Sequence, residues 1–304
     1  MTAPNWFLEK RVRARWQRPD NWSALPLVAP FVAVYLALFI YPSVQMFAMS
    51  FTDSGLIVHG RFVGLANYAK LLSDRKVLTA TLNSLYFVGL TVVPGTLIGF
   101  GLAMLVHRLK GIPQAVVLAV FFLPYILPVS TVTSIAWWIT DPQNGPLGGL
   151  LHSARGEPAV LWRNIGLFLP GVAVLTIWWT VGFNVLVFLA GLRALPHELF
   201  EAARLDGAGR WSSFRHLTWP LMWPITALLL TIQLIIQIKV FDQVYLMVAS
   251  GRTDPTMVLV QYIYMVAFQR NQGGYAATIA VALFVVVVTI SVLQFQLLRL
   301  RSSR

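Results

Sequence analysis

Long stretches without a charged residue constrain this chain most strongly. Six windows contain no Asp, Glu, Lys or Arg, and each is at least 23 residues long. They are 21–52, 77–107, 111–140, 164–192, 216–238 and 271–298. A helix needs about 20 predominantly apolar residues to cross the hydrocarbon core of a bilayer, and core helices of soluble proteins seldom run so far without a charge. The sequence therefore predicts an integral membrane protein with six transmembrane helices.

The apolar runs are typical of helices and not of membrane-spanning strands. Strands of that kind are about ten residues long and alternate in polarity, whereas positions 285–288 hold four consecutive valines. A helix also satisfies its own backbone hydrogen bonds where no water is present. We therefore predict an all-α fold with a basic tail at 1–24, a membrane domain at 25–298 and a second tail at 299–304.

Two features modify this simple plan of spans. Pro94, Pro124 and Pro128 predict kinks, because proline removes a backbone donor and clashes with the preceding turn. The apolar run at 256–268 is too short to cross a bilayer, so we predict an interfacial or re-entrant helix there. The spans themselves are placed near 25–50, 83–106, 114–140, 168–192, 219–247 and 276–298.

The distribution of positive charge predicts how the chain is oriented. The formal net charge is +12, which alone would be compatible with nucleic-acid binding. However, if the amino terminus is inside, the inner segments hold 14 Lys and Arg residues and the outer segments hold 8. Such an excess on one side is the usual positive-inside pattern. We therefore predict that both termini are cytoplasmic and that the chain binds no nucleic acid.

The loop between the fourth and fifth spans, residues 193–218, carries the most informative motif. Pro196 suits the first position of a helix, and Glu198 suits the positive end of that helix. Gly207 can supply the turn that ends it. Trp211, Phe214 and Arg215 are predicted to start a second short amphipathic helix that leads to Pro220. The loop therefore predicts a helix–glycine–helix unit, for which an ordinary cytoplasmic connector is the alternative interpretation.

This loop resembles the Glu-Ala-Ala loop of permeases from binding-protein-dependent, ATP-driven (ABC) importers. The resemblance rests on Glu-Ala-Ala at 201–203, on Gly207 six residues after the glutamate, and on Pro220 at the start of the next span. The family implies a type I importer permease fold with a coupling helix that docks into a groove of a separate ATPase. It implies that Glu201 anchors this contact and that Gly207 makes the turn. The expected coupling residues are Glu198, Glu201, Ala202, Ala203, Asp206, Gly207 and Ala208.

Other segments are similar to the carbohydrate-uptake branch of this family, the maltose and glycerol-phosphate type. They include residues 62–68, 123–125 and 241–245, whereas 249–253 departs from the pattern of the branch. The resemblance implies a plasma (inner) membrane protein of a bacterium or archaeon, which imports mono-, di- or oligosaccharides. It also implies three kinds of partner: a second homologous permease, two copies of a cytoplasmic ATPase and an extracytoplasmic solute-binding protein.

Polar residues inside the spans are the candidates for the translocation path. Gln233 and Gln237 lie four residues apart and therefore share one helical face, and Asn184 lies midway along the fourth span. Amides both donate and accept hydrogen bonds, which suits the hydroxyls of a sugar. Asp242 and Tyr245 complete the predicted set. The alternative is that these side chains form hydrogen bonds between helices, in particular to the partner permease.

The sequence contains no machinery for ATP hydrolysis. It lacks the Gly-x-x-x-x-Gly-Lys-Ser/Thr phosphate loop, and without cysteine it has no thiolate metal site. We therefore predict a non-enzymatic subunit with no cofactor of its own, whose ATP and magnesium are bound by the partner ATPase. An ion-coupled transporter would need intramembrane carboxylates, and Asp242 is the only acid in a predicted span. A membrane-embedded enzyme, or an importer of a non-sugar solute such as glycerol phosphate, is the further alternative.

Overall fold

A computed structural model describes residues 25–58, 60–141, 143–149, 162, 164–248 and 255–302. The predicted tail at 1–24 lies outside these described residues. Within them all regular secondary structure is helical, apart from an isolated bridge between Thr52 and Phe62. The last helix runs to Ser302 and therefore includes most of the predicted second tail.

The described helices are numbered here in chain order. They are α1 (Leu25–Tyr35), α2 (Tyr41–Met49), α3 (Ala66–Ser73), α4 (Arg75–His107), α5 (Ile112–Ile126), α6 (Val129–Thr140), α7 (Ile165–Arg193), α8 (His197–Leu205), α9 (Arg210–Ser213), α10 (Trp219–Gln237), α11 (Asp242–Met247), α12 (Leu259–Tyr264) and α13 (Gly273–Ser302). Turns of π-helix join α1 to α2 and α9 to α10, and a third extends α12; they cover Leu36–Ile40, Phe214–Thr218 and Met265–Gln269.

The predicted third span is broken and not merely kinked. Five described helical segments are long and apolar enough to cross a membrane, and the pair α5 and α6 makes a sixth if it counts as one span. These two helices are bent by 101° at the break. Leu127 is extended, with ψ at 140°, because a residue before proline avoids the helical region. Trp179 of α7 donates its indole N–H to the Leu127 carbonyl over 3.2 Å, which satisfies an oxygen that the break exposes.

The fifth span also differs from the predicted 219–247. Its helix is continuous from Arg210 to Gln237, a length of 28 residues. The short helix predicted to start at Trp211 and lead to Pro220 is therefore the beginning of this span and not a separate unit. At the other end α10 stops at Gln237, and Phe241 has non-helical dihedral angles (φ −144°, ψ −61°). The helix α11 then follows as a separate short element.

Glycines allow the central helices to approach each other closely. A Cβ atom at Gly99 of α4 would lie 2.5 Å from the Cβ of Asn184 on α7. A Cβ atom at Gly182 of α7 would overlap the backbone oxygen of Phe121 on α5. Contacts this short do not occur between real atoms, so both positions require glycine for packing. The helix α7 is therefore held tightly between α4 and α5.

The bundle has two ends, and the first and last spans meet at one of them. The loop end holds residues 107–111 and 193–218, and the far end holds residues 50–74 and 255–272. None of the residues described within Val28–Met49 is buried. At the far end, however, the hydroxyl of Thr278 on α13 donates to the Ser50 carbonyl over 3.0 Å. This bond ties the first span to the last.

The helix α12, predicted to be interfacial or re-entrant, is packed into the far end of the bundle. Its Tyr262 is only 1% exposed and lies in an apolar cluster with Ala80 of α4 and Ile279 of α13. Asn83 of α4 donates to the carbonyl of Met257, just before α12, over 2.9 Å. The segment is therefore part of the core of this chain.

Asp74 joins three elements at the far end. Its carboxylate accepts hydrogen bonds from the hydroxyls of Tyr262 at 2.6 Å and Tyr275 at 2.8 Å. It also caps α4 by accepting from the backbone N–H of Lys76 at 2.8 Å. Partial burial raises the pKa of Asp74, but these hydrogen bonds outweigh that effect and leave its pKa below the ordinary value.

We expect the substitution Asp74→Ala to lower the unfolding temperature of the purified protein. The loss of a helix cap and of hydrogen bonds to a partly exposed carboxylate costs about 2 kcal/mol in total. A lowered folded-state pKa means that this stability is fully present above the ordinary carboxyl pKa of about 4 and is lost as the pH falls from there through the lowered pKa. Thermal unfolding in detergent should show a difference between the two proteins that shrinks from pH 6 to pH 3. The matched control is Asp53→Ala. A difference in unfolding temperature between the unmodified protein and the Asp74→Ala variant that stays constant with pH would contradict the assignment.

Candidate functional site

The helix α8 stands at the loop end of the bundle, between α7 and α10. Pro196 occupies the N-cap position, one residue before the helical position that the sequence predicted. Glu198 lies in the first turn, where a negative charge is favoured by the helix dipole. No residue of α8 is buried in the described structure. The helix therefore presents most of its surface to partners outside this chain.

Gly207 ends α8 through a turn that only glycine adopts readily. Its φ is +78°, a region that L side chains rarely enter. The N–H of Gly207 donates to the carbonyl of Arg204 at 3.1 Å, and the N–H of Ala208 donates to the carbonyl of Ala203 at 2.8 Å. This pair of bonds is the Schellman motif. No described atom lies within 4 Å of an added Cβ at Gly207, so the requirement for glycine is conformational and not steric.

The residues predicted for ATPase coupling all lie on this hairpin. Ala203 and Ala208 are half-buried and the others are exposed, namely Glu198, Glu201, Ala202, Asp206 and Gly207. Leu205, which the sequence interpretation did not single out, is 89% exposed. The hairpin thus combines acidic, small and apolar side chains on one accessible surface.

An aromatic cluster connects this hairpin to the core of the bundle. Phe214 stacks on Trp211 at 5.4 Å and contacts Trp219 at 6.5 Å. Phe100 of α4 lies 5.6 Å from Trp219 and 5.1 Å from Phe188 of α7. Both Phe100 and Phe188 are buried. Aromatic pairs at these distances pack tightly. A displacement of the hairpin would therefore change the packing of α4, α7 and α10.

The three amides predicted inside the spans form one hydrogen-bonded chain. Gln237 Nε2 donates to Gln233 Oε1 over 3.3 Å, and Gln233 Nε2 donates to Asn184 Oδ1 over 2.8 Å. Asn184 Nδ2 in turn donates to the Gly95 carbonyl over 3.1 Å. All three amide side chains are buried. These bonds join α10, α7 and α4 within this chain, and hydrogen bonding to a partner permease stays the alternative prediction. A role of these amides in the substrate path stays a prediction.

Asp242 and Tyr245 are not part of this amide chain. They lie on α11, and both are exposed. Tyr245 stacks on Phe241 at 5.1 Å and meets the ring of Tyr264 edge-on at 5.4 Å. The sequence interpretation missed this aromatic group. The four-residue spacing of Phe241 and Tyr245 was an available signal, whereas only tertiary structure brings in Tyr264 from the next segment.

A basic groove lies behind α8 at the loop end. It has a volume of about 420 Å³ and is lined by Arg108, Arg204 and Arg210. An adjoining pocket of about 320 Å³ adds His107 and His197. Among the described residues that line these two spaces there is no carboxylate. In the part of the chain that the structure describes, no group of three or more ligating side chains is placed to hold a metal ion.

The comparison with protein families decides the identity of this bundle. Residues 95–301 match the family described as "binding-protein-dependent transport system inner membrane component". The match covers more than half of the chain. The chain belongs to this family. The permease is thus a multi-pass membrane transport component, and the prediction of a non-enzymatic ABC importer subunit is confirmed.

Curated relatives and solved structures agree with this assignment. The permease is 30% identical over 275 residues to the arabinooligosaccharides transport system permease protein AraP of Bacillus subtilis (strain 168), covering 88% of this chain and 86% of that protein. It is 30% identical to the multiple sugar-binding transport system permease protein MsmF of Streptococcus mutans serotype c, with coverages of 91% and 94%. A bacterial ABC transporter that imports alginate contains a chain of the same fold, with a TM-score of 0.83, 21% identity and coverages of 94% and 98%. The predicted all-helical importer permease fold is therefore confirmed.

The turn at Gly207 generates a prediction about the hairpin. Gly207→Ala forces a side chain into the left-handed region, which costs about 1–2 kcal/mol. We expect amide hydrogen exchange around residues 203–208 to become roughly tenfold faster, while the spans keep their protection. Gly209→Ala is the matched control, because Gly209 has an ordinary φ of −71° and open space around it. Equal exchange rates in the two variants would show that the turn does not depend on glycine.

Proposed function

We propose that this chain is one of two permease subunits of an ABC importer that takes up sugars, including oligosaccharides. The relatives support this substrate class by their names, which include a trehalose/maltose transport system permease protein MalF of Thermococcus litoralis that is 29% identical over 281 residues. The observation that carries the coupling role is the exposed helix α8, ended at Gly207 and continued through α9 into a membrane span. Such a unit can receive force at one end and deliver it inside the membrane.

The proposed orientation places the loop end in the cytoplasm, together with both termini. The excess of Lys and Arg on that side, 14 against 8, supports it. An ATPase, which binds the ATP and magnesium, then docks on the hairpin around Glu201. A second permease completes the pathway, and a solute-binding protein meets the far end. A neighbour of the same fold, with a TM-score of 0.77, comes from an alginate ABC transporter in complex with an alginate pentasaccharide-bound periplasmic protein, which supports the last of these partners.

The continuous helix from Arg210 to Gln237 offers a route from the hairpin to the amides. At about 1.5 Å per residue, its 28 residues extend across the whole membrane. When two ATPases close on ATP, the hairpin moves, and α10 shifts relative to α7. This shift separates Gln233 from Asn184 and frees donor and acceptor groups for the hydroxyls of a sugar. In the described conformation the same amides satisfy one another, which avoids unpaired polar groups in the membrane.

The docking role of Glu201 can be tested by co-purification. We expect Glu201→Ala to release the ATPase from the solubilised complex and to lower sugar uptake at least tenfold, since an anchoring charged contact is worth about 1.5–3 kcal/mol. Arg215→Ala, also exposed in the same loop, is the control and should retain the ATPase. Full retention of the ATPase by the Glu201 variant would contradict the proposed contact.

The amide chain generates a second test of the transport path. The double substitution Gln233→Leu and Gln237→Leu should abolish sugar uptake while the complex still assembles. Thr231→Val is the control on the same helix, because among the described residues the hydroxyl of Thr231 bonds only to the Ala227 carbonyl of its own helix, over 2.9 Å. Uptake is measured with radiolabelled sugar in cells, and thermal unfolding reports stability. Unchanged uptake in the double variant would remove these residues from the path.

Two alternatives have distinct outcomes in the same transport assay. An ion-coupled transporter would take up solute without ATP and would respond to an ionophore, and membership of the binding-protein-dependent family gives it no support. An importer of a non-sugar solute such as glycerol phosphate would respond to that compound and not to sugars. A thermal-shift screen of both compound classes against the solute-binding partner distinguishes the two substrate classes.

A further inference from the structure

Three arginines from separate elements of the fold converge on the basic groove. Arg108 follows the end of α4, Arg204 belongs to α8, and Arg210 begins α9. All three line the same cavity of about 420 Å³. This size is within the range of ordinary ligand sites. Arg204 and Arg210 belong to the same loop, whereas Arg108 is remote in sequence, so tertiary structure and not a local basic run completes this cluster.

The groove holds positive charge with no internal compensation. None of the three guanidinium groups forms an ion pair with a carboxylate among the described residues, and the acids of the hairpin do not line the cavity. The adjoining pocket adds the imidazole side chains of His107 and His197 on the same side. Like charges held close together repel one another unless an anion lies between them. The chemistry of the groove therefore favours an anionic ligand with several acceptor oxygens.

The apolar surroundings of the groove indicate where that ligand comes from. Met104, Phe200 and Phe214 line the cavity beside the arginines. Trp211 stacks on Phe214 of this lining and is itself 71% exposed. Exposed tryptophan beside arginines at the ends of spans is typical of the membrane interface. A ligand that carries both phosphate and acyl chains matches this combination, whereas a small soluble anion matches only the charge.

We propose that the groove binds the phosphate headgroup of an anionic phospholipid. Basic pockets between transmembrane helices are suited to such headgroups. The bound phosphate would bridge Arg204 of α8 to Arg108 at the end of α4, and would hold the hairpin against the bundle. Its assignment to the cytoplasmic leaflet rests on the orientation proposed above. The lipid content of the membrane would then influence how firmly the coupling hairpin is held.

The test uses the full-length chain in nanodiscs with both leaflets of identical composition, so that its outcome does not depend on orientation. Nanodiscs contain phosphatidylcholine alone or with phosphatidylglycerol, and native mass spectrometry after detergent release counts retained phosphatidylglycerol. We expect one retained molecule on the unmodified chain. The triple substitution Arg108→Gln, Arg204→Gln and Arg210→Gln should weaken retention on the order of 100-fold, since each arginine near a lipid phosphate contributes about fivefold.

Two control variants separate this site from general electrostatic attraction. The triple substitution Arg61→Gln, Arg75→Gln and Arg215→Gln removes the same charge from positions that do not line the groove, and should retain the lipid. The triple lysine variant of the groove keeps the charge and should retain most of the binding, which also covers the case in which the glutamine variant unfolds. Equal loss in both glutamine variants would overturn the proposal.

The source of the anion is tested separately. Titration with inorganic phosphate and with short-chain phosphatidylglycerol is followed by thermal unfolding in detergent. Stabilisation by the lipid at concentrations at least tenfold below those of phosphate supports the proposal. Equal stabilisation by phosphate would assign the groove to a soluble anion. If the groove variant retained the lipid but lost the ATPase in co-purification, the arginines would belong to the protein interface, and the lipid site would be rejected.

Discussion

The close approach of α4 and α7 at Gly99 determines much of the rest of the structure. A side chain at Gly99 would collide with Asn184, so the glycine sets the distance between two central helices. At that distance the Asn184 amide reaches the Gly95 carbonyl on one side and Gln233 of α10 on the other. Hydrogen bonds between helices in a membrane are modest individually, but two of them in series, at Asn184, fix the rotation of α10. The position of the hairpin at the other end of the same continuous helix follows from that rotation.

The hydrogen bonding of backbone carbonyl groups explains where the spans are irregular. The chain breaks at Leu127 and Pro128, and the exposed carbonyl is satisfied by the indole of Trp179. The prolines correctly predicted where the span is distorted, but they predicted a kink where the structure has a break. A single proline is compatible with either outcome. Which one forms depends on whether a neighbouring donor is available. That donor comes from another helix, 52 residues away in sequence, and no local pattern reveals it.

The span count and the hairpin were predictable because their signals are local. Charge-free windows directly reflect the cost of charge in hydrocarbon, and a glycine after an amphipathic helix reflects a positive φ. The end of the fifth span was not predictable in this way, because α10 stops at Gln237 although apolar residues resume after Lys239. For the same reason Asp242 and Tyr245 were grouped with Gln233 and Gln237, although they lie on a separate helix. Helical spacing gave the correct face for the two glutamines, but it could not show that Asn184 completes their bonding.

The connection between the first and last spans has a consequence for biogenesis. Ser50 and Thr278 are 228 residues apart, and Gly274 also donates its N–H to the Ser54 carbonyl over 2.8 Å. The first described span therefore lacks this docking site until α13 has been synthesised. Throughout translation it must remain in lipid or be shielded by the insertion machinery. A chain arrested before α13 would leave this helix undocked, and quality-control proteases that recognise orphaned membrane helices would have a ready target.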